Sequence, residues 1–197
     1  MNFDRKIFFT KFREAFGSLN QGQVDGLQSL LRNLEADIYV TDIRQAAYML
    51  ATVKHECADT WKPIQEYGKG AGRKYGEPVK VISPSGEVLE RTYYGRGYVQ
   101  LTWENNYLKM DELLGLSGDS SLHLYPENAL NPDIAYKVMS KGMREGSFTG
   151  RSLEDFICGK VCDYFKARKI INGTDRAVTI QGYAHQLEGV LKSSLKN

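Results

Sequence analysis

Residues 61–100 carry seven glycines and three prolines, Pro63, Pro78 and Pro84. That density excludes a long helix there. The flanking stretches read the opposite way. Phe8, Phe9, Phe12 and Phe16 recur at helical spacing. Asn20 and Gln23 form a capping-box pattern ahead of Val24, Leu27, Leu30, Leu31 and Leu34. Thr41 is placed to cap a third helix with Ile43, Ala46, Ala47, Leu50 and Val53 on its apolar face, running to about Glu56. On the helical wheel Glu56 falls off that stripe, so it is expected to point away from the core. Within the glycine-rich stretch, Val79–Ile82 and Glu87–Glu90 flank Ser83-Pro84-Ser85-Gly86, a hairpin signal.

Beyond Leu101 the helical pattern returns. Asn131-Pro132-Asp133 reads as a cap, a first helical residue and an acid suited to the helix dipole. Ser152-x-x-Asp155 resembles a second capping box, opening a helix with Phe156, Ile157, Val161 and Phe165. Ile180, Tyr183, Ala184, Leu187 and Leu191 mark the last helix. The expectation is a single domain over 1–197, with helices over residues 1–60, a glycine-rich and hairpin region over 61–100, and helices again over 101–197. Its class is mainly α, with a small β-hairpin beside a central groove.

Composition narrows the function. With 42% hydrophobic and 25% charged residues the chain is an ordinary globular sequence. Its net charge of +2 argues against a general nucleic-acid or polybasic membrane protein. No apolar run approaches the roughly 20 residues that span a membrane. The charged start, Met1-Asn2-Phe3-Asp4-Arg5-Lys6, leads into no signal-peptide core. Three cysteines, Cys57, Cys158 and Cys162, are an odd number and argue against a disulfide framework. Cys158 and Cys162 have helical spacing, yet no second Cys/His pair completes a metal site.

Two carboxylates stand out. Glu56 ends a helix and Glu66 begins the glycine-rich loop, so a turn separates them and they can face each other across a cleft. Glycoside hydrolysis uses such a pair, one carboxyl donating a proton and the other acting as base or nucleophile. Spacing alone also fits two ordinary surface glutamates. The stretch Tyr93–Tyr107 adds Gln100, Thr102 and Asn106 among aromatic rings, groups suited to the polar edges and apolar faces of sugars. It equally fits a tight turn entering a helix with Trp103 in the core.

The ordered set His55-Glu56, Ile64-Gln65-Glu66-Tyr67-Gly68, Tyr94-Gly95-Arg96-Gly97-Tyr98-Val99-Gln100-Leu101-Thr102-Trp103 and Ile171-Asn172-Gly173 resembles the family 19 glycoside hydrolases. That family comprises plant-type chitinases and related phage and bacterial wall-lytic enzymes. The resemblance runs from about Gln21 onward, and the compact form looks most like the phage endolysin branch. It implies a lysozyme-like helical fold and an inverting endo-glycosidase of β-1,4-linked N-acetylhexosamine polymer, with bacterial peptidoglycan or chitin as substrate. Glu56 would be the general acid and Glu66 the general base, about 6.5–9.5 Å apart with a water between them. Thr102, where the family often has Ser, would hold that water. Gln100 and Asn106 would contact sugar, and Asn172 would contact an N-acetyl group or help place the water, with Trp103 and Arg96 as scaffold. Ala58 and Thr179 stand where the family has Thr and Arg, and the missing Arg leaves the Glu66 network short of a charged partner.

The resemblance further implies no cofactor, no metal, no nucleic-acid partner, no stable membrane association and a monomer. It implies synthesis in the cytoplasm without a signal peptide, and action on the wall after holin-type or lysis-dependent release. Three rivals remain. A zinc peptidase needs His-Glu-x-x-His, but position 59 is Asp59. Cys57 paired with a histidine is a second, and a glycan-binding homologue without activity is a third.

Overall fold

The computed structural model describes residues 1–196. In chain order its elements are α1 (Arg5–Phe16), α2 (Gln21–Ala36), α3 (Ile43–Glu56), β1 (Ile64–Gln65), β2 (Val79–Ile82), β3 (Val88–Arg91), β4 (Arg96–Gly97), α4 (Glu104–Leu114), α5 (Pro132–Arg144), β5 (Ile157–Cys158), β6 (Val161–Cys162), α6 (Tyr164–Ala167) and α7 (Ala177–Ser194). The chain is mainly helical. Its strands form three two-stranded antiparallel pairs among the described residues: β1 with β4, β2 with β3, and β5 with β6.

The chain divides into two compact units, Met1–Trp61 with Gly142–Asn197, and Lys62–Lys141. In the first unit, α7 packs on α3, α1 and α6. Its core is built by the periodic residues: Phe8 and Phe12 of α1, Leu27, Leu30, Leu31 and Leu34 of α2, and Ile180, Ala184, Leu187 and Leu191 of α7 are all buried. The box at α2 forms in full, with Asn20 accepting from the Gln23 amide while the Gln23 side chain accepts from the Asn20 amide. The cap of α3 is Asp42, not Thr41: its carboxylate accepts from the Arg44 amide at 2.9 Å and pairs with the Arg44 guanidinium. A carboxylate is the stronger acceptor, and it sits beside the positive end of the helix dipole.

The helix expected after Ser152 does not form. The Ser152 amide does donate to the Asp155 carboxylate at 2.8 Å, but the contact closes a turn. The chain then folds into the β5–β6 hairpin, with Ile157 opposite Cys162 and Cys158 opposite Val161. Tertiary bonds select this shape: the Gln45 side chain donates to the Ile157 carbonyl and Arg44 to the Gly159 carbonyl, each at 2.9 Å. Cys158 and Cys162 therefore do not share a helix face. As opposite members of adjacent cross-strand pairs they point to opposite faces of the hairpin.

In the second unit, the β2–β3 hairpin forms one residue later than expected on its second strand. Ser83 brackets Glu87, donating its amide to the Glu87 carbonyl at 2.9 Å and accepting the Glu87 amide on Oγ at 3.1 Å. That draws Glu87 into the turn. Tyr93, Tyr98, Leu101, Tyr107 and Met110 are buried. Asn131 caps α5 as expected, accepting from the Asp133 and Ile134 amides.

Candidate active site

The first unit holds Glu56 and Asn172. Glu56 lies in the last turn of α3, and its Oε1 accepts from Arg168 Nη1 at 2.6 Å. Arg168 is buried in the turn that follows α6, and its Nε donates to the Asp175 carbonyl at 3.0 Å. The Arg168 carbonyl in turn accepts from the Asn172 amide at 3.0 Å. One buried arginine thus ties Glu56 to the segment carrying Asn172. Asn172 is exposed, with its Oδ1 accepting from the Gly173 amide at 2.9 Å. The side-chain amide nitrogen of Asn172 is left to meet solvent or a ligand. Arg168 gives Glu56 a charged partner.

The second unit holds Glu66, Gln100, Thr102 and Asn106, and hydrogen bonds link the last three. Glu66 directly follows β1, which pairs Gln65 with Arg96. Its amide donates to the Gly95 carbonyl at 2.7 Å. Its Oε2 accepts from the Gly95 amide at 3.3 Å and its Oε1 from the Tyr75 hydroxyl at 3.1 Å. A carboxylate oxygen has two lone pairs, so each can still take a water proton. Burial and the bond to Glu66 push the Tyr75 phenol upward, which keeps it a donor. Tyr75 reaches Glu66 because the loop closes on itself. A side chain at Gly76 would lie 2.1 Å from the Gly70 carbonyl oxygen, an approach that only glycine permits.

Gln100 Nε2 donates to the Ile64 and Gly97 carbonyls at 3.0 and 3.2 Å. That side chain braces the β1–β4 ladder, and only its Oε1 is left for a ligand. Thr102 donates its hydroxyl proton to the Gln100 carbonyl at 2.8 Å. Its oxygen can hold a water as acceptor. Asn106 Nδ2 donates to the Thr102 carbonyl at 2.7 Å, leaving its carbonyl oxygen unused.

Arg96 is scaffold. Its guanidinium is buried over the Tyr94 ring, and Nη1 donates to the Thr92 and Tyr94 carbonyls and the Tyr107 hydroxyl. Trp103 is not in the core: it is 50% exposed and meets Tyr75 edge to face. The backbone explains the exposure. Trp103 has φ +76° at the head of α4, so its side chain leaves the turn instead of entering the core. Sequence reasoning thus missed three residues beside the glutamates: Arg168, Tyr75 and the exposed face of Trp103. For Arg168 a signal existed, because Tyr164, Ala167, Arg168 and Ile171 follow an apolar helical spacing with a charge in it.

A cleft of about 380 Å³ in the second unit is lined by Glu90, Arg91, Arg96 and Glu127 and does not include Glu66. No three His, Cys, Asp or Glu side chains gather as a metal site among the described residues. None of their helices is long and apolar enough to cross a membrane.

No protein-family model matches the chain, and no curated protein sequence is similar to it. Solved structures are. Chitinase C from Streptomyces griseus matches with a TM-score of 0.56 at 19% identity, over 95% of this chain and 78% of that one. A glutamate-to-glutamine mutant of chitinase C matches with a TM-score of 0.51 at 18% identity, over 95% and 94%. The chain has a chitinase-like fold, mainly helical with small β-hairpins.

Proposed function

We propose that this protein is a glycoside hydrolase that cleaves β-1,4-linked N-acetylhexosamine polymer with inversion, and that its substrate is bacterial peptidoglycan. The observation that carries the reading is that each of the two glutamates is held by fixed partners. Glu56 is held by buried Arg168, and Glu66 by Tyr75 and the Gly95 amide. Preorganised carboxylates of this kind suit acid–base work on a bound sugar. The fold shared with a chitinase supports the same reading.

In the proposed mechanism Glu56 donates the proton to the leaving glycosidic oxygen. Arg168 engages Oε1, so Oε2 is the atom that carries it. Glu66 takes a proton from the attacking water, and Thr102 accepts that water's second proton in a hydrogen bond. Trp103 offers its exposed ring to the apolar face of a sugar.

Charge favours peptidoglycan over chitin. Lys62, Lys69, Arg73 and Lys74 are exposed along the loop around Glu66, against Glu66 and Glu77. Peptidoglycan is anionic and chitin is neutral, and only the first rewards this tilt. The chitinase neighbours support chitin as the second reading. Purified sacculi and chitin oligosaccharides, each digested and read by mass spectrometry, decide between them. Muropeptides with new reducing ends from sacculi support the proposal. Cleavage of chitin oligosaccharides alone selects the second reading. Cleavage of neither leaves a glycan-binding protein.

A further inference from the structure

The last turn of α3 closes in an uncommon way. The Asp59 amide donates to the Lys54 carbonyl at 3.0 Å and the Ala58 amide to the His55 carbonyl at 3.3 Å. This bond pair ends a helix with a left-handed residue just past the cap, a place usually held by glycine. Here that residue is Ala58, with φ +48°. Asp59 and Trp61 are left-handed as well, at +62° and +61°. Three non-glycine residues in four positions therefore occupy sparsely populated backbone, directly after Glu56. Such strain persists only where the surroundings dictate it, and it gathers at functional sites.

Lys54 supplies much of what dictates it. Its ammonium sits 2.6 Å from the Asp59 carboxylate, so Asp59 grips Lys54 through both backbone and side chain. The same nitrogen lies 4.9 Å from the ring centre of Phe16, 5.1 Å from that of Tyr183 and 5.6 Å from that of Trp61. The Lys54 side chain is 10% exposed. One cation thus joins α1, α3, α7 and the strained strap. Two further contacts seat the strap on α2. The Gln23 side chain donates to the Asp59 carbonyl at 2.9 Å, and the Trp61 carbonyl lies where a side chain at Gly26 would come within 2.4 Å of it. An apolar side chain would fill a cage of three rings without the desolvation that a cation incurs. The ammonium has a use that bulk lacks: it fixes the strap through Asp59.

We infer that Lys54 is a positioning residue for Glu56, its ring-caged ammonium setting the angle at which the end of α3 presents the carboxyl while Arg168 holds that carboxyl from the other side. The inference rests on the proposed acid role of Glu56. Lys54→Met keeps length and removes charge, and Lys54→Arg keeps charge. In Lys54→Met the Ala58 and Asp59 amides exchange with solvent about tenfold faster or more, while those of Leu50 and Val53 do not change. On the glycan that the wild type cleaves, kcat falls about tenfold or more with KM unchanged, because misplacement costs rate and not affinity. Lys54→Arg recovers most of the rate.

Wild-type amide exchange in Lys54→Met overturns the inference, and so does a change confined to KM. If Lys54→Met does not fold, Asp59→Asn, which weakens the pair but fills the same space, is held to the same outcomes. If the wild type cleaves neither glycan, the acid role fails separately. The positioning claim is then decided by the NMR signal of the Glu56 carboxyl carbon: a shift in Lys54→Met supports it, and an unchanged signal overturns it.

Discussion

Arg168 Nη1 stands 2.6 Å from Glu56 Oε1, with the arginine side chain 3% exposed and the glutamate 16%. A buried guanidinium without its carboxylate is costly, and so is a carboxylate left without its cation. Glu56→Ala should therefore lower stability by about 3 kcal/mol, while Glu56→Gln, whose amide oxygen can still accept from Arg168, should lose less. Arg168→Lys should recover little of what Arg168→Met loses, because a lysine cannot donate to Glu56 and to the Asp175 carbonyl in the same fork. Urea midpoints of the four variants check the order. Equal midpoints for Glu56→Ala and wild type would remove the pair from the account.

Ala58 offers a test of strain with the opposite sign. A left-handed alanine costs about 1–2 kcal/mol, and glycine costs about 0.5–1 kcal/mol in added freedom of the unfolded chain. Ala58→Gly should then stabilise the protein by up to about 1 kcal/mol and raise Tm by about 2–4 °C. A lower Tm would mean that the strap after α3 is not strained.

Gln100 and Trp103 lie three residues apart and should fail differently. Gln100→Ala strips the hydrogen bonds from the Ile64 and Gly97 carbonyls, which predicts a loss of about 1–3 kcal/mol in stability. Trp103→Ala removes a half-exposed ring and should leave the midpoint nearly unchanged while weakening glycan binding about fivefold or more. Calorimetric binding beside thermal melts separates the two. A large stability loss in Trp103→Ala would return that ring to the scaffold.

Acid should destabilise the first unit, in part through Glu35 and Asp42. Hydrogen bonds from the Arg5 guanidinium hold the Glu35 carboxyl below its ordinary range, and those from Arg44 do the same for Asp42. A carboxyl with a lowered folded value contributes stability that is present above about pH 4 and lost as pH falls through the folded value. Glu35→Gln should thus be less stable than wild type near pH 6, and the gap should narrow below about pH 4. Urea midpoints across that range check it, and a constant gap would contradict it.

Much of this was legible where local rules act alone. The phenylalanine spacing of α1, the Asn20–Gln23 box and the Asn131 cap depend on neighbours a few residues away. The failures share a cause. The β5–β6 hairpin overrides a helical pattern because Arg44 and Gln45, over a hundred residues earlier, bind its carbonyls. Glu56 could be picked out by its place off the apolar stripe, but its partner Arg168 is 112 positions away. Tyr75 reaches Glu66 only through the closure of a glycine loop, and Trp103 is turned outward by one left-handed φ. Neither leaves a periodic trace.

The central claim is an inverting hydrolysis that uses Glu56 as proton donor and Glu66 as base. Proton NMR of the first product released from whichever of sacculi and chitin oligosaccharides is cleaved tests it most directly. The account predicts that the fresh reducing end appears as the α anomer, and that Glu56→Gln, folded by its melt, releases none. A fresh β anomer, or undiminished release by Glu56→Gln, would contradict it.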